Sequence, residues 1–207
     1  MAYYMAFMIV GYLAGSVLSA RIFGRLLRHR DIISGTKDEN PGTANAFLQG
    51  GFLCGILTLI FDVLKGFLPV FLCVRLEQSQ NPQPMEFGLA LVLCAPVLGH
   101  IFPLFYHFRG GKGIATSFGC LLGMFPHVYG AEALAFSFLF LSFIVRVTPH
   151  YFRTIGAYLL TMTVLFFAKE RLALRLGFLF IGCLVLIRMH LSKEEKEACK
   201  VRLLWMH

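Results

Sequence analysis

Long apolar segments alternate with short polar connections along the chain, and this pattern predicts its architecture. A bilayer span needs about 20 predominantly apolar residues, and an isolated strand cannot cross lipid. We therefore predict an all-α, polytopic membrane protein with about seven transmembrane helices, in one domain over residues 1–207. The seven segments are Met5–Phe23, Phe52–Val74, Phe87–Phe105, Ile114–Val128, Glu132–Val147, Thr154–Ala168 and Leu172–Ile187.

Basic residues fall mainly on one side of this predicted topology. The connections after the first, third and fifth segments, with the C-terminal tail, hold 14 lysines and arginines, and the opposite connections hold four. Connections rich in lysine and arginine face the cytoplasm, so we expect the N-terminus outside and the C-terminus in the cytoplasm. Arg21 lies at the end of the first segment, Arg25 follows it and no basic residue precedes it, so we expect a retained anchor.

Composition excludes several classes of function. The chain is 57% hydrophobic with a net charge of +8. Membrane topology and attraction to anionic lipids account for that charge, so we expect no nucleic-acid partner. The six cysteines show no metal-ligand spacing, and we predict no disulfide, no metal and no cofactor.

The connection between the third and fourth segments has the most distinctive polar sequence. It places His100, Arg109 and Lys112 around a run of glycines, and a predicted helix begins at Ile114. Glycine lets backbone N–H groups turn toward one point, and a helix N-terminus favours an anion there. Two fixed cations beside these groups predict a phosphate or acyl-phosphate site at the membrane surface. The glycines are Gly110, Gly111 and Gly113.

Simpler interpretations of this connection stay open. A histidine at a helix end is often only an interfacial residue. A flexible turn on the positive face of a membrane explains Lys112 without any ligand. That interpretation does not explain three glycines within four positions.

Two further groups of polar residues are candidates for a site. Asp62 and Lys65 lie one helical turn apart within the second segment. They are either a structural ion pair or a pair of groups that attract and orient an anion. The long polar connection after the first segment gathers Asn40, Gly42 and Asn45. Such connections are commonly functional, although a solvated loop with Asn45 as a helix cap is the alternative.

Four sequence blocks occur in the order of a known family: Gly11–Ser16 (GYLAGS), Asn40–Asn45 (NPGTAN), Phe61–Gly66 (FDVLKG) and Gly99–Gly119. In these blocks the chain resembles the bacterial acyl-phosphate-dependent glycerol-3-phosphate 1-O-acyltransferases, which are membrane enzymes of seven spans. The resemblance covers about residues 5–125. The remaining residues match only in hydrophobic layout.

The resemblance implies transfer of a fatty acyl group from acyl-phosphate to glycerol 3-phosphate, giving lysophosphatidate and phosphate without metal or acyl carrier protein. It also implies a bacterial plasma-membrane location, a site facing the cytoplasm, and an acyl-phosphate-producing enzyme as a partner. With the residue chemistry above, it predicts His100, Arg109 and Lys112 as catalytic residues. The predicted substrate- or phosphate-binding residues are Gly110, Gly111, Gly113, Thr116, Asn40, Gly42, Asn45, Asp62 and Lys65.

The chain also departs from the family's pattern. Asp38 and Glu39 stand where the family has serine and glycine, and Leu48 stands in place of an arginine. The family's terminal block of Asn, Arg and Gly-x-Glu is not evident after His190. Carboxylates beside an anion site weaken phosphate binding unless they turn away or are paired. The competing hypotheses are therefore a different acceptor, a non-catalytic protein that binds phosphorylated lipids or regulates lipid synthesis, and a small anion transporter.

Overall fold

A computed structural model of the chain describes residues 1–29, 31–33, 39–80, 84–192 and 198–204. These residues are almost entirely helical, with one short antiparallel strand pair. In chain order the elements are α1 (Ala2–Gly15), α2 (Ser19–Arg28), α3 (Thr43–Gln80), α4 (Glu86–Ile101), a 3₁₀ turn (Leu104–Tyr106), α5 (Ile114–Leu122), α6 (Tyr129–Leu139), a π-helical turn (Phe140–Ile144), β1 (Val147–Thr148), α7 (His150–Phe167), α8 (Leu172–His190) and β2 (Lys200–Val201).

Helix α4 forms the centre of the bundle and packs against α1, α3, α5 and α8. Between Glu86 and His100 its side chains are apolar on every face, as expected for a helix in the interior of a membrane bundle. Leu89, Leu93 and Val97 are fully buried in the main core cluster. Because the glycine run is hydrogen-bonded to the end of α4, this central helix also positions the candidate site.

The outer surface of the helices is apolar, whereas several charged residues are buried. Ile9, Phe136 and Phe167 are exposed, and Asp62 and Glu77 are buried. This distribution suits a surface in contact with lipid. Within the described ranges, four helical stretches are long and apolar enough to cross a membrane: Ala2–Arg28, Thr43–Gln80, Glu86–Tyr106 and Leu172–His190.

The fourth predicted segment, Ile114–Val128, does not form a helix of membrane length. Helix α5 has nine residues, about 14 Å at 1.5 Å per residue, which is less than half of the hydrocarbon core. Gly123 and Pro126 lie in the turn that follows, and α6 with its π-helical continuation reaches only Ile144. The count of seven spans and the orientation of the termini therefore stay predictions.

The first and second predicted segments form helices, but each departs from a single straight span. The chain breaks between α1 and α2, where Leu18 is extended with φ −92° and ψ 94°. Helix α3 is 38 residues long and is interrupted at Gly51, whose φ of 80° is left-handed. The break after α1 leaves the carbonyl oxygen of Val17 without a helical partner. This oxygen accepts a hydrogen bond from Lys65.

The sequence after Ile187 is basic and has Leu203, Leu204 and Trp205 near its end, which predicts an amphipathic surface helix anchored at the membrane interface, but residues 198–204 do not form a helix. Lys200–Val201 pairs as a strand with Val147–Thr148, and Leu204 donates its backbone N–H to the carbonyl oxygen of Ile144 at 3.0 Å. Strand pairing satisfies the backbone groups that a helix would have paired internally. Trp205, the expected membrane anchor, lies outside the described residues.

A polar network joins four helices at the end of the bundle opposite the glycine run. Tyr4 donates a hydrogen bond to the Glu77 carboxylate at 2.5 Å. Arg171 pairs with Glu77 at 2.9 Å and with Glu86 at 2.8 Å. Burial lowers the pKa of the Arg171 guanidinium, but its bonds to the two carboxylates raise that pKa above its usual value overall. This end of the bundle is therefore closed by internally paired charges.

Candidate functional site

The glycine run folds back along the end of α4. Gly111 donates its backbone N–H to the carbonyl oxygen of His100 at 3.0 Å, and Gly110 donates to Ile101 at 3.1 Å. The last carbonyls of a helix have no partner inside it, so these two bonds complete α4. We predicted that the glycine N–H groups converge on an anion. That prediction is wrong for Gly110 and Gly111, because the end of α4 already uses both groups.

Glycine is nevertheless required in this loop for steric reasons. A Cβ at Gly111 would lie 2.2 Å from Nε2 of His100, so no larger residue fits without displacing the imidazole. Gly113 has a φ of 82°, in the left-handed region, and the predicted helix begins directly after it at Ile114. The loop thus holds its backbone against the His100 ring and then turns sharply into α5.

A buried polar cluster lies behind this loop. The ammonium group of Lys65 is 2.7 Å from Oδ1 of Asp62, 2.8 Å from the carbonyl oxygen of Val17 and 2.8 Å from Nδ1 of His100. Ser19 donates a hydrogen bond to the same Asp62 oxygen at 2.9 Å. The predicted pairing of Asp62 with Lys65 is therefore confirmed, and His100 is joined to it. All three charged or ionisable side chains are at least nine-tenths buried.

Two cavities open on either side of the loop. We call the first the lysine cavity. It has a volume of about 470 Å³, and both polar and apolar side chains line it. Its polar lining includes Asn40, Asn45, Asp62, His100, Lys112 and His150, and its apolar lining includes Leu59, Ile114 and Phe118.

The second cavity, which we call the arginine cavity, measures about 500 Å³. Its lining includes Arg21, Asp31, Glu39, Arg109, Gly110 and Arg188. Arg21 forms an ion pair with Asp31. Arg188 donates to the carbonyl oxygen of Gly110 at 2.8 Å and to that of Gly111 at 3.3 Å, so this residue of α8 also holds the loop.

The predicted site residues are therefore only partly brought together. His100, Lys112, Gly113, Asp62, Asn40, Gly42 and Asn45 line the lysine cavity. Arg109 and Gly110 line the arginine cavity instead. Thr116 is completely buried and lines neither cavity, because α5 packs its face against α3. Lys65 lines neither cavity and is engaged with Asp62, Val17 and His100.

Two of the sequence departures can also be located. Glu39 lines the arginine cavity, on the other side of the loop from Lys112. Leu48 is 78% exposed and lines neither cavity. Asp38 lies outside the described residues. Glu39 thus belongs to the lining of the arginine cavity and not to that of the lysine cavity.

Sequence reasoning missed two residues of this region. His150 lines the lysine cavity from the start of α7, and its only signal was a histidine directly after Pro149. Arg188 was counted among the topological charges, and nothing in its neighbourhood indicated that it holds the glycine loop. The described residues contain no group of three or more His, Cys, Asp or Glu side chains placed to hold a metal ion.

Comparison with known proteins identifies the family. The profile of the family described as glycerol-3-phosphate acyltransferase matches residues 5–196. The chain belongs to this family. A glycerol-3-phosphate acyltransferase of Haemophilus ducreyi is 33% identical over 185 residues, 88% of this chain and 85% of the relative.

Other relatives match over shorter stretches. A glycerol-3-phosphate acyltransferase of Legionella pneumophila is 42% identical over 135 residues, 65% of this chain and 46% of that protein. One from Actinobacillus pleuropneumoniae is 47% identical over 117 residues, 56% of each chain. The chain thus spans about half the length of several curated relatives that it matches.

Two solved structures of the family have the same fold. They are crystal structures of PlsY, described as an integral membrane glycerol 3-phosphate acyltransferase. The glycerol 3-phosphate form superposes with a TM-score of 0.73 at 26% identity, over 90% of this chain and 88% of PlsY. The lysophosphatidic acid form gives a TM-score of 0.71 at 27% identity, over 89% and 87%.

Proposed function

We propose that this protein transfers a fatty acyl group from acyl-phosphate to glycerol 3-phosphate, giving lysophosphatidate and inorganic phosphate. The observation that carries the proposal is the lysine cavity, which places Lys112, His100 and Asn40 next to Leu59 and an apolar wall. A substrate with a phosphate head and a fatty tail likewise combines a polar group with an apolar one. Family membership and the names of the relatives support the acceptor.

The reaction makes modest chemical demands that these residues can meet. An acyl-phosphate is a mixed anhydride, so its carbonyl is already activated and phosphate is a good leaving group. No covalent protein nucleophile is needed. The protein must align two anionic substrates and offset their repulsion, and a fixed cation such as Lys112 does both. His100 and Asn40 add hydrogen-bonding groups to the lining of the same cavity.

The proposal extends to the setting of the reaction. We propose seven spans in a bacterial plasma membrane, an outside N-terminus, and a cytoplasmic site close to an enzyme that supplies acyl-phosphate. The charge distribution of the sequence supports this orientation. The short α5 and α6 have to complete the proposed spans together with the turns beside them.

The decisive experiment offers purified protein a choice of donor. Palmitoyl-phosphate with glycerol 3-phosphate should release inorganic phosphate and form lysophosphatidate, whereas palmitoyl-coenzyme A should not serve as donor. Acceptors without phosphate, such as glycerol, test the alternative of a changed acceptor. No turnover with any acceptor would overturn the proposal and leave the non-catalytic hypothesis.

Lys112→Ala tests the residue that we propose contacts the substrate phosphate. Loss of a charge-assisted contact costs roughly 1.5–3 kcal/mol, so kcat/KM should fall about 10- to 100-fold while the protein still folds. Lys169→Ala removes the same charge from an exposed position on the connection before α8 and serves as the control. Wild-type kcat/KM in Lys112→Ala would remove this lysine from the mechanism.

A further inference from the structure

All hydrogen-bond donors of the Lys65 ammonium group are engaged within the protein. An ammonium carries three N–H donors and no acceptor. Its three neighbours are Oδ1 of Asp62 at 2.7 Å, the carbonyl oxygen of Val17 at 2.8 Å and Nδ1 of His100 at 2.8 Å. Lys65 therefore has no donor left for a substrate anion.

This arrangement fixes the role of each nitrogen of His100. A protonated Nδ1 would direct an N–H at the ammonium group, and two donors would meet 2.8 Å apart without an acceptor. Nδ1 is therefore the acceptor, and the neutral imidazole carries its proton on Nε2. Asp62 lies 3.9 Å from Nδ1, too far for a hydrogen bond, so it acts on the histidine only through Lys65.

The Nε2 atom faces the glycine loop, away from Lys65. A Cβ at Gly111 would lie 2.2 Å from it, and the His100 side chain lines the lysine cavity together with Lys112. Among the described residues, none hydrogen-bonds Nε2. An N–H that is held in place beside a lysine suits an anionic oxygen of a ligand.

We propose that Asp62 and Lys65 are positioning residues that hold His100 as the Nε2–H tautomer, so that His100 donates a hydrogen bond to an anionic substrate oxygen in the lysine cavity. The substrate part of this inference rests on the proposed function. It replaces the expectation that Lys65 itself binds phosphate. In this tautomer Nε2 has no lone pair to accept a proton from a substrate hydroxyl.

The tautomer can be measured without any turnover. Protein labelled with ¹⁵N-histidine is studied by NMR near pH 7, and His100 is assigned by the signals lost in His100→Gln. We expect an unprotonated Nδ1 and a protonated Nε2, because the ¹⁵N shifts of the two states differ widely. A wild-type His100 that is protonated on Nδ1, alone or together with Nε2, would overturn the inference even if the enzyme is active.

Removing the positioning group should change the same signals. Lys65→Met leaves the Asp62 carboxylate buried without a cation, which destabilises the protein. The variant Asp62→Asn/Lys65→Met removes both charges together and avoids this buried unpaired charge. We expect the Nδ1 and Nε2 signals of His100 to shift toward a tautomer mixture in it. Unchanged signals would show that Lys65 does not set the tautomer. Lys169→Met is the matched control.

Kinetics separate a positioning role from a purely structural one. His100→Gln should lower kcat/KM for acyl transfer about 10- to 100-fold. In the wild-type background, Asp62→Asn/Lys65→Met should lower kcat/KM by a similar factor. In the His100→Gln background, the same double substitution should lower kcat/KM by less than about twofold. If the two losses multiply, Lys65 acts independently of His100 and the inference fails. If no variant or wild-type protein turns over, the proposed function fails, and the NMR result still decides the tautomer.

Discussion

At the scale of single residues, the contact between Gly111 and His100 determines the shape of the candidate site. The ring stands against a backbone that has no Cβ, with Lys65 bound on its other edge. Both edges of the imidazole are therefore defined before any ligand arrives. A preorganised site of this kind is sensitive to small displacements, because a shift of about 1 Å can lower the rate about 100-fold.

Gly111→Ala tests this dependence directly. The new methyl group would begin 2.2 Å from Nε2, so either the ring or the loop has to move. We expect kcat to fall about 100-fold. Steady-state kinetics provide the measurement, and Gly156→Ala, where a Cβ meets only the end of Leu141 at 3.0 Å, is the control. Normal kcat in Gly111→Ala would mean that the position of His100 is unimportant.

At the scale of elements, α5 is placed by close backbone contact with α3 rather than by its length. A Cβ at Gly119 would lie 2.0 Å from the carbonyl oxygen of Val63, and one at Gly66 would lie 2.4 Å from that of Thr116. Small residues at facing positions let two helices approach in this way within a membrane. The nine-residue α5 is thus held against α3, and Lys112 precedes it by two residues.

Gly119→Ala should separate α5 from α3 and destabilise the protein. Inserting a methyl group into a closely packed contact costs about 1–3 kcal/mol, so we expect a lower Tm in a detergent thermal-unfolding assay. Gly156→Ala is again the comparison, with an unchanged or raised Tm because alanine favours a helix over glycine. A Tm equal to wild type in Gly119→Ala would show that α5 tolerates displacement from α3.

The sequence predicted these elements unevenly, for reasons that particular residues explain. Gly113 and Ile114 mark a turn and a helix start locally, and the structure confirms both. The hydrophobicity of Ile114–Val128 gave no sign that the helix ends at Leu122, since an apolar turn packed against neighbours has the composition of a span. Contacts between distant segments, such as Arg188 with Gly110, leave no local pattern at all.

At the scale of the whole molecule, the candidate site and the Glu77–Arg171 network occupy opposite ends of the bundle. Helix α4 begins next to that network at Glu86 and ends at the glycine loop. One end is closed by paired charges, and the other carries both cavities. The two ends of the bundle therefore differ in chemistry, and the sidedness predicted from the sequence stays a prediction.

Cysteine labelling tests this orientation. A cysteine introduced at Phe108 should react with a membrane-impermeant maleimide only from the cytoplasmic side, and one introduced at Gln80 only from outside. The background protein lacks Cys183 and Cys199, the two exposed native cysteines. Labelling of both positions from the same side would contradict the proposed topology.

The length of α3 has a consequence for how a lipid product leaves. Asp62 lies about ten residues beyond Phe52 along α3, or about 15 Å from the start of the straight part of the helix. The head-group layer of a bilayer is only about 5–8 Å deep on each side. The proposed topology, with the straight part of α3 beginning at the membrane surface, would therefore place Asp62 at the level of the fatty chains. Under the proposed function, an acylated product that left the lysine cavity past Leu59 and Phe118, two apolar residues of its lining, would enter the surrounding leaflet without its tail crossing water.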